Sequence, residues 1–145
     1  MTMRDRYNGA LTSPMIPMAE PISEFKSKNG LKRILSALSY SFDGLKTAWR
    51  NEFAFRQELV VFSVAAVVAL LLPVSAFQKL ALIGVLLIVL MMELVNSAIE
   101  AVVDRVSLER HPLSKNAKDL GSAAVLLACL MAAATWGVVL FNRFW

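Results

Sequence analysis

Residues 80–105 read LALIGVLLIVLMMELVNSAIEAVVDR, and the change of character inside that stretch decides the fold. From Leu80 to Met92 no side chain is polar; from Glu93 onward Glu93, Asn96, Ser97, Glu100 and Asp104 punctuate an otherwise apolar run. A membrane-spanning helix needs roughly 20 mostly apolar residues, so this stretch can span only if the first of those polar groups lie within the bilayer. With Glu93 as origin and about 100° per residue, the others fall near about −60°, +40°, −20° and +20°. They share one face about 100° wide and about 16 Å long. An ionisable side chain at membrane depth costs at least ~2.5–3.5 kcal/mol. A row of carboxylates on one face therefore calls for compensation by cations, a metal ion or protons. A polar network between helices would also account for the row, and Asp104 alone fits a helix end at the water interface.

The rest of the chain agrees with a membrane setting. Of its 145 residues 57% are hydrophobic and 18% charged, against ~45–50% (glycine included) and ~25% in ordinary soluble domains. So short a chain cannot hide that much apolar surface from water, which excludes the usual soluble enzyme. Leu59–Val74 (LVVFSVAAVVALLLPV) and Gly121–Phe141 (GSAAVLLACLMAAATWGVVLF) supply two further apolar runs. Nothing alternates with the period of a strand, and only helices or closed barrels span. The predicted fold is an all-α membrane protein with transmembrane helices over about 53–73, 79–103 and 119–142. Cys129 and His111, one of each type, leave no disulfide, thiolate cluster or histidine-ligated metal to consider. Cys129 and Met131 read as packing residues, and Ala132–Ala134 as a place for close helix approach.

Lys and Arg concentrate in residues 1–58 (Arg4, Arg6, Lys26, Lys28, Lys32, Arg33, Lys46, Arg50, Arg56) and again in Arg105, Arg110, Lys115 and Lys118. The other two connections carry only Lys79 and Arg143. That alternation predicts a cytoplasmic N-terminus and an outside C-terminus. Residues 1–30, with Pro14, Pro17 and Pro21, read as a disordered cytoplasmic tail without a cleavable leader. Over about 31–50, Leu31, Ile34, Leu35, Leu38, Phe42, Leu45 and Trp49 form one stripe with Lys32, Arg33, Lys46 and Arg50 off it. This predicts an amphipathic helix lying on the inner leaflet; packing on a partner protein is the alternative. The domain division is thus a tail, 1–30, and a membrane domain, 31–145.

A second polar group, Asn51, Glu52, Arg56, Gln57 and Glu58, opens the first membrane helix, and Lys118-Asp119 opens the third. Glu52 and Arg56 stand at i,i+4, so a surface ion pair explains them equally well. Together these helix ends present carboxylates and a lysine toward one level of the membrane. A divalent cation held by carboxylates, its shell completed by a polyphosphate, fits that inventory. No Walker-type run is present, so a nucleotide would be held without a P-loop. Leu80–Met92 is apolar throughout, so the site opens to one side only, which favours interfacial chemistry over a proton path.

At this point three motifs converge. Asn51-Glu52-Phe-Ala-Phe-Arg56-Gln57-Glu58, Glu93-Leu-Val-Asn96-Ser97-Ala-Ile-Glu100-Ala-Val-Val-Asp104-Arg105 and Ala117-Lys118-Asp119-Leu-Gly121-Ser122 resemble the prokaryotic integral-membrane diacylglycerol kinase family. The resemblance runs from about Leu31 to Trp145 and departs from it at Phe42-Asp43, where close relatives carry Trp and a basic residue. It implies a homotrimer in the bacterial cytoplasmic membrane that uses Mg²⁺ and ATP to phosphorylate the primary hydroxyl of diacylglycerol, giving phosphatidate. By position it implies Glu93 as general base and Asn96 as its orienting neighbour, with Glu52 and Glu100 holding the nucleotide-bound Mg²⁺. Lys118 and Asp119, and less directly Arg33, Tyr40, Glu109, Arg110 and His111, would contact the nucleotide. Phe55, Arg56, Gln57, Glu58 and Ser122, together with Glu93, would face the lipid. His111 beside Pro112 also reads simply as a solvated loop residue.

Other functions remain open on the residues alone. Within the family it resembles, a related branch phosphorylates undecaprenol, and by that resemblance Arg105 and Gly121-Ser122 favour the diacylglycerol type. A small proton-coupled transporter would use Glu93 or Glu100 without nucleotide. A non-catalytic membrane anchor would tolerate Glu93→Gln. No nucleic-acid partner is expected.

Overall fold

The computed structural model describes residues 30–106, 109 and 111–145, and among these residues there is no strand. Four helices follow one another: α1 (Gly30–Asn51), α2 (Phe53–Leu71), α3 (Ala76–Val106) and α4 (Pro112–Phe144). The chain divides into two compact units at Tyr40–Ser41, so α1 contributes residues to both. Of the expected tail, only Gly30 lies within the described residues, where it begins α1.

Three helices, α2, α3 and α4, are long and apolar enough to cross a membrane. At 1.5 Å per residue the 19 residues of α2 reach about 28 Å, close to the ~30 Å hydrocarbon thickness. The 31 residues of α3 and 33 of α4 reach roughly 46 and 50 Å. Both have length to spare, and on α3 the surplus lies where the acidic row is.

The helix ends differ from the expected limits for local reasons. Helix α2 stops at Leu71 because Pro73 forces the preceding residue out of the helical region, and Leu72 is extended at φ −61°, ψ 137°. Helix α3 starts at Ala76, ahead of the predicted 79. There the Ser75 hydroxyl accepts from Gln78 N at 3.2 Å and the Gln78 side chain accepts from Ser75 N at 2.9 Å, a reciprocal capping box. Helix α4 starts at Pro112, seven residues before the predicted 119. Proline costs nothing at N1, where its missing N–H has no partner to lose, and His111 caps the helix as Nδ1 accepts from Leu113 N at 3.2 Å.

Within the second unit α3 is central, packing on both α2 and α4. Three apolar clusters hold these contacts. Ala48 of α1, Phe55 and Leu90 form one, Ala69, Leu82 and Val139 a second, and Val89, Ala128 and Ala132 a third. Small residues at 128 and 132 let α4 come close to α3, the packing that apolar solvent favours. The Trp136 indole N–H donates to the Leu82 carbonyl at 3.2 Å and ties the two helices together at the end remote from the acidic row. Many large apolar side chains stay exposed, among them Val60, Val64, Leu71, Leu80, Leu120 and Leu127. A water-soluble monomer would not leave such surface uncovered; helices facing hydrocarbon do. On α1, Ile34, Leu35, Leu38, Phe42, Leu45 and Trp49 are likewise exposed.

Candidate functional site

The row that begins at Glu93 lies on the part of α3 that packs between its neighbours. Among the described residues, Glu93 and Asn96 are the buried polar ones, at 6% and 9% exposure, and Glu100 one turn further is half-buried. Asp104, the last of the row, is exposed. The burial gradient follows from the helix running out of its packed environment. One turn along the same face from Asn96, the Glu100 Oε1 accepts from the Asn96 amide at 3.1 Å. The resemblance pairs Asn96 with Glu93, whereas its amide donates to Glu100. A carboxylate only accepts, so this bond turns the NH₂ group of Asn96 toward Glu100 and its Oδ1 away. That Oδ1 is buried with no hydrogen-bond partner.

Helix α4 comes very close here. A Cβ built on Gly121 would collide with Asn96 Oδ1 and stand 3.3 Å from Asn96 Cγ. Three residues earlier, the Lys118 ammonium reaches across to Asp104 Oδ1 at 2.7 Å. Asp119 instead pairs with Lys115 on the same helix, both well exposed. Ser122 is exposed on the neighbouring face of α4.

The joint between α1 and α2 places the remaining acids. Glu52 occupies the extended N-cap position of α2 and its side chain makes no capping bond. Arg56 does not form the ion pair with Glu52 that the i,i+4 spacing allows. Its guanidinium donates to the carbonyls of Trp49 at 3.2 Å and Arg50 at 3.1 Å, closing the C-terminus of α1. Phe55 is buried at 3% exposure, against Ala48 and Leu90. Glu58 turns inward: its Oε2 is buried without a partner, at the edge of an apolar cleft of about 230 Å³ shared by α2, α3 and α4. Gln57, Phe62, Val89 and Cys129 line the same cleft, and Cys129 is exposed.

The other expected nucleotide contacts divide. Arg33 and Tyr40 lie on α1 in the first unit and are exposed. Glu109 is exposed, and Arg110 lies outside the described residues. His111 is not simply a loop residue, since its ring is the cap of α4. Asp104 as the partner of Lys118 and Gly121 as the point of helix approach had no assigned place in the sequence. The Gly directly after Lys118-Asp119-Leu was the available signal for the second.

Among the described residues no group of three or more His, Cys, Asp or Glu side chains forms a metal cage. A small hard divalent cation does not require one. It takes one or two carboxylates and keeps other positions for water and phosphate oxygens, and Glu52 and Glu100 supply donors of that kind.

Three apolar spans with buried acid and amide groups on a central helix define an integral membrane protein with a polar site in its helix bundle. Residues 39–140 match the family model of prokaryotic diacylglycerol kinase. The chain is 54% identical over 120 residues to a diacylglycerol kinase of Pseudomonas aeruginosa, covering 83% of this chain and 98% of that one. It is 50% identical over 115 residues to the diacylglycerol kinase of Escherichia coli K12, covering 79% and 94%. With that of Haemophilus influenzae it shares 40% over 112 residues, covering 77% and 95%. The chain belongs to the prokaryotic diacylglycerol kinase family. These relatives favour neither the transporter nor the anchor.

Proposed function

We propose that the protein transfers the γ-phosphoryl group of ATP to the primary hydroxyl of diacylglycerol, giving phosphatidate and ADP. The observation that carries this reading is the Glu93–Asn96–Glu100 row, buried at Glu93 and Asn96 and bonded between Asn96 and Glu100, in a chain of this family. Phosphoryl transfer has a loose transition state, so positioning and charge neutralisation supply most of the catalysis. Glu93, the most deeply placed acid of the row, accepts the proton of the lipid hydroxyl as its oxygen forms the new bond to the γ-phosphorus and the bond to ADP breaks. A general base of this kind contributes typically about 10²–10⁴ in rate.

Glu52 and Glu100 would hold Mg²⁺, which when bound neutralises charge on the phosphate oxygens. Lys118 lends a further cation to those oxygens, and Asp119 and His111 border the same helix end. Glu58 and Gln57, which line the apolar cleft, take the glycerol end of the lipid while its chains lie along the exposed helix surfaces. The protein works in the cytoplasmic membrane with its N-terminus inside, in keeping with its Lys and Arg distribution. It works as a homotrimer, which covers apolar helix surface that one subunit leaves open.

The test is a mixed-micelle assay with labelled Mg-ATP that offers diacylglycerol and undecaprenol together, for wild type and Glu93→Gln. Label entering phosphatidate in the wild type only is the expected result. Label entering mainly the polyprenol would keep the mechanism and change the acceptor. No transfer to either lipid from a folded oligomer would overturn the kinase reading.

A further inference from the structure

Gly121 stands where helix propensity alone would place alanine. It lies ten residues inside α4, well away from either end, where glycine is unfavourable because it must give up more backbone freedom than any other residue. The other described glycines meet open space: a Cβ at Gly30, Gly44, Gly84 or Gly137 would have no atom within 4 Å, whereas at Gly121 it would collide with the Asn96 carboxamide. The group it would strike has space beside it, a cleft of about 400 Å³ that Asn96 and Gly121 both line, so a methyl group at 121 would displace the carboxamide from its present seat. Asn96 is buried, its NH₂ is held by Glu100, and its Oδ1 has no hydrogen-bond partner to guide it elsewhere.

We infer that Gly121 is a positioning residue for the phosphoryl-transfer site: the bare backbone of α4 is the seat against which the Asn96 carboxamide rests, and this holds its NH₂ on Glu100. A methyl group at 121 would rotate or lift the carboxamide, break the 3.1 Å bond to Glu100 and release a carboxylate proposed to hold the nucleotide-bound ion. Gly121 itself touches no reacting atom; its effect passes through Asn96. The inference rests on the proposed kinase activity and adds to it a reason for a glycine inside a long helix.

A double-mutant cycle tests it in the full-length protein, with Mg-ATP and diacylglycerol in mixed micelles. Gly121→Ala should lower kcat roughly 10- to 100-fold, the range for displacement of a positioned group by about 1 Å, with little change in KM for the lipid. In an Asn96→Ala background the same change should alter the residual rate by no more than about twofold, because the group it displaces is gone. Gly137→Ala, the same substitution where nothing is near, should leave kcat unchanged. Thermal unfolding in detergent provides a second readout of the cycle when the residual rate is too low. Gly121→Ala should lower the midpoint in the wild-type background and not in Asn96→Ala. The double variant should fold even if Gly121→Ala alone does not. An equal loss in both backgrounds, or a double variant that also fails to fold, would show that the effect bypasses Asn96 and overturn the inference. Full activity of Gly121→Ala would overturn it too. An inactive wild type would instead strike the kinase reading itself.

Discussion

The two ends of the α3–α4 contact solve the same packing problem with opposite chemistry. At one end Leu82 is fully buried with Ala69 and Val139, and the indole of Trp136 bonds to a main-chain carbonyl. At the other, the helices meet through a carboxamide laid against a glycine, with acids on either side. The apolar end spends its contacts on cohesion. The polar end contains a buried side-chain oxygen without a partner, Asn96 Oδ1, and Glu58 of the adjoining α2 carries another; unsatisfied polar atoms are costly in apolar surroundings. Such groups persist where the chain gains something other than stability from them, in keeping with the proposed site.

The comparison breaks most directly at Glu93. Glu93→Gln keeps shape and removes the proposed base, so phosphoryl transfer should fall roughly 10²- to 10⁴-fold while the unfolding temperature holds or rises. A variant that loses stability in step with activity would make the polar row structural. The opposite dissociation is expected at the apolar end. Leu82→Ala opens a void that its neighbours cannot fill and should cost about 2 kcal/mol or more of stability, read by thermal unfolding in detergent. Its kcat at low temperature should stay near that of the wild type. A large loss of kcat there would mean that the two ends are not separable.

How far the sequence reveals this division depends on what generates each feature. The spans, and the single face shared by Glu93, Asn96, Glu100 and Asp104, follow from helical periodicity, so residue spacing alone discloses them. Helix starts are legible where a cap is written locally, as in Ser75-Ala76-Phe77-Gln78 and His111-Pro112, although those signals count only when a helix is already assumed beyond them. Contacts between helices are not written in this way. That Lys118 meets Asp104, or that Asn96 rests on Gly121, depends on the rotation and height of α4 against α3, which every packed residue along both helices sets together. Spacing also misleads at Arg56, where i,i+4 proposes Glu52 and the nearer carbonyl ends of α1 take the guanidinium.

The Lys118–Asp104 pair sharpens the comparison at its boundary. Asp104 is exposed and Lys118 half-buried, so the pair adds little cohesion and its use lies in keeping the ammonium in place. Lys118→Ala should raise KM for ATP by roughly tenfold, the scale of one charge-assisted hydrogen bond. Asp104→Asn, which leaves the lysine but releases it, should raise it less. Equal effects would make Asp104 itself a ligand group.

The smallest effect belongs to His111, where a cap and a nucleotide contact compete as explanations. His111→Ala removes the acceptor for Leu113 N and should cost about 1 kcal/mol of stability, the usual value of an N-cap. Asparagine is among the best capping residues and lacks the imidazole ring, so His111→Asn separates the two roles. If the ring only caps α4, His111→Asn restores both the unfolding temperature and KM for ATP. If the ring also meets the nucleotide, stability returns while KM stays raised. The first result would confine the polar site to the helix-bundle face built by Glu93, Asn96, Glu100 and Lys118. The second would extend it past the start of α4, beyond the region where buried polar groups mark it.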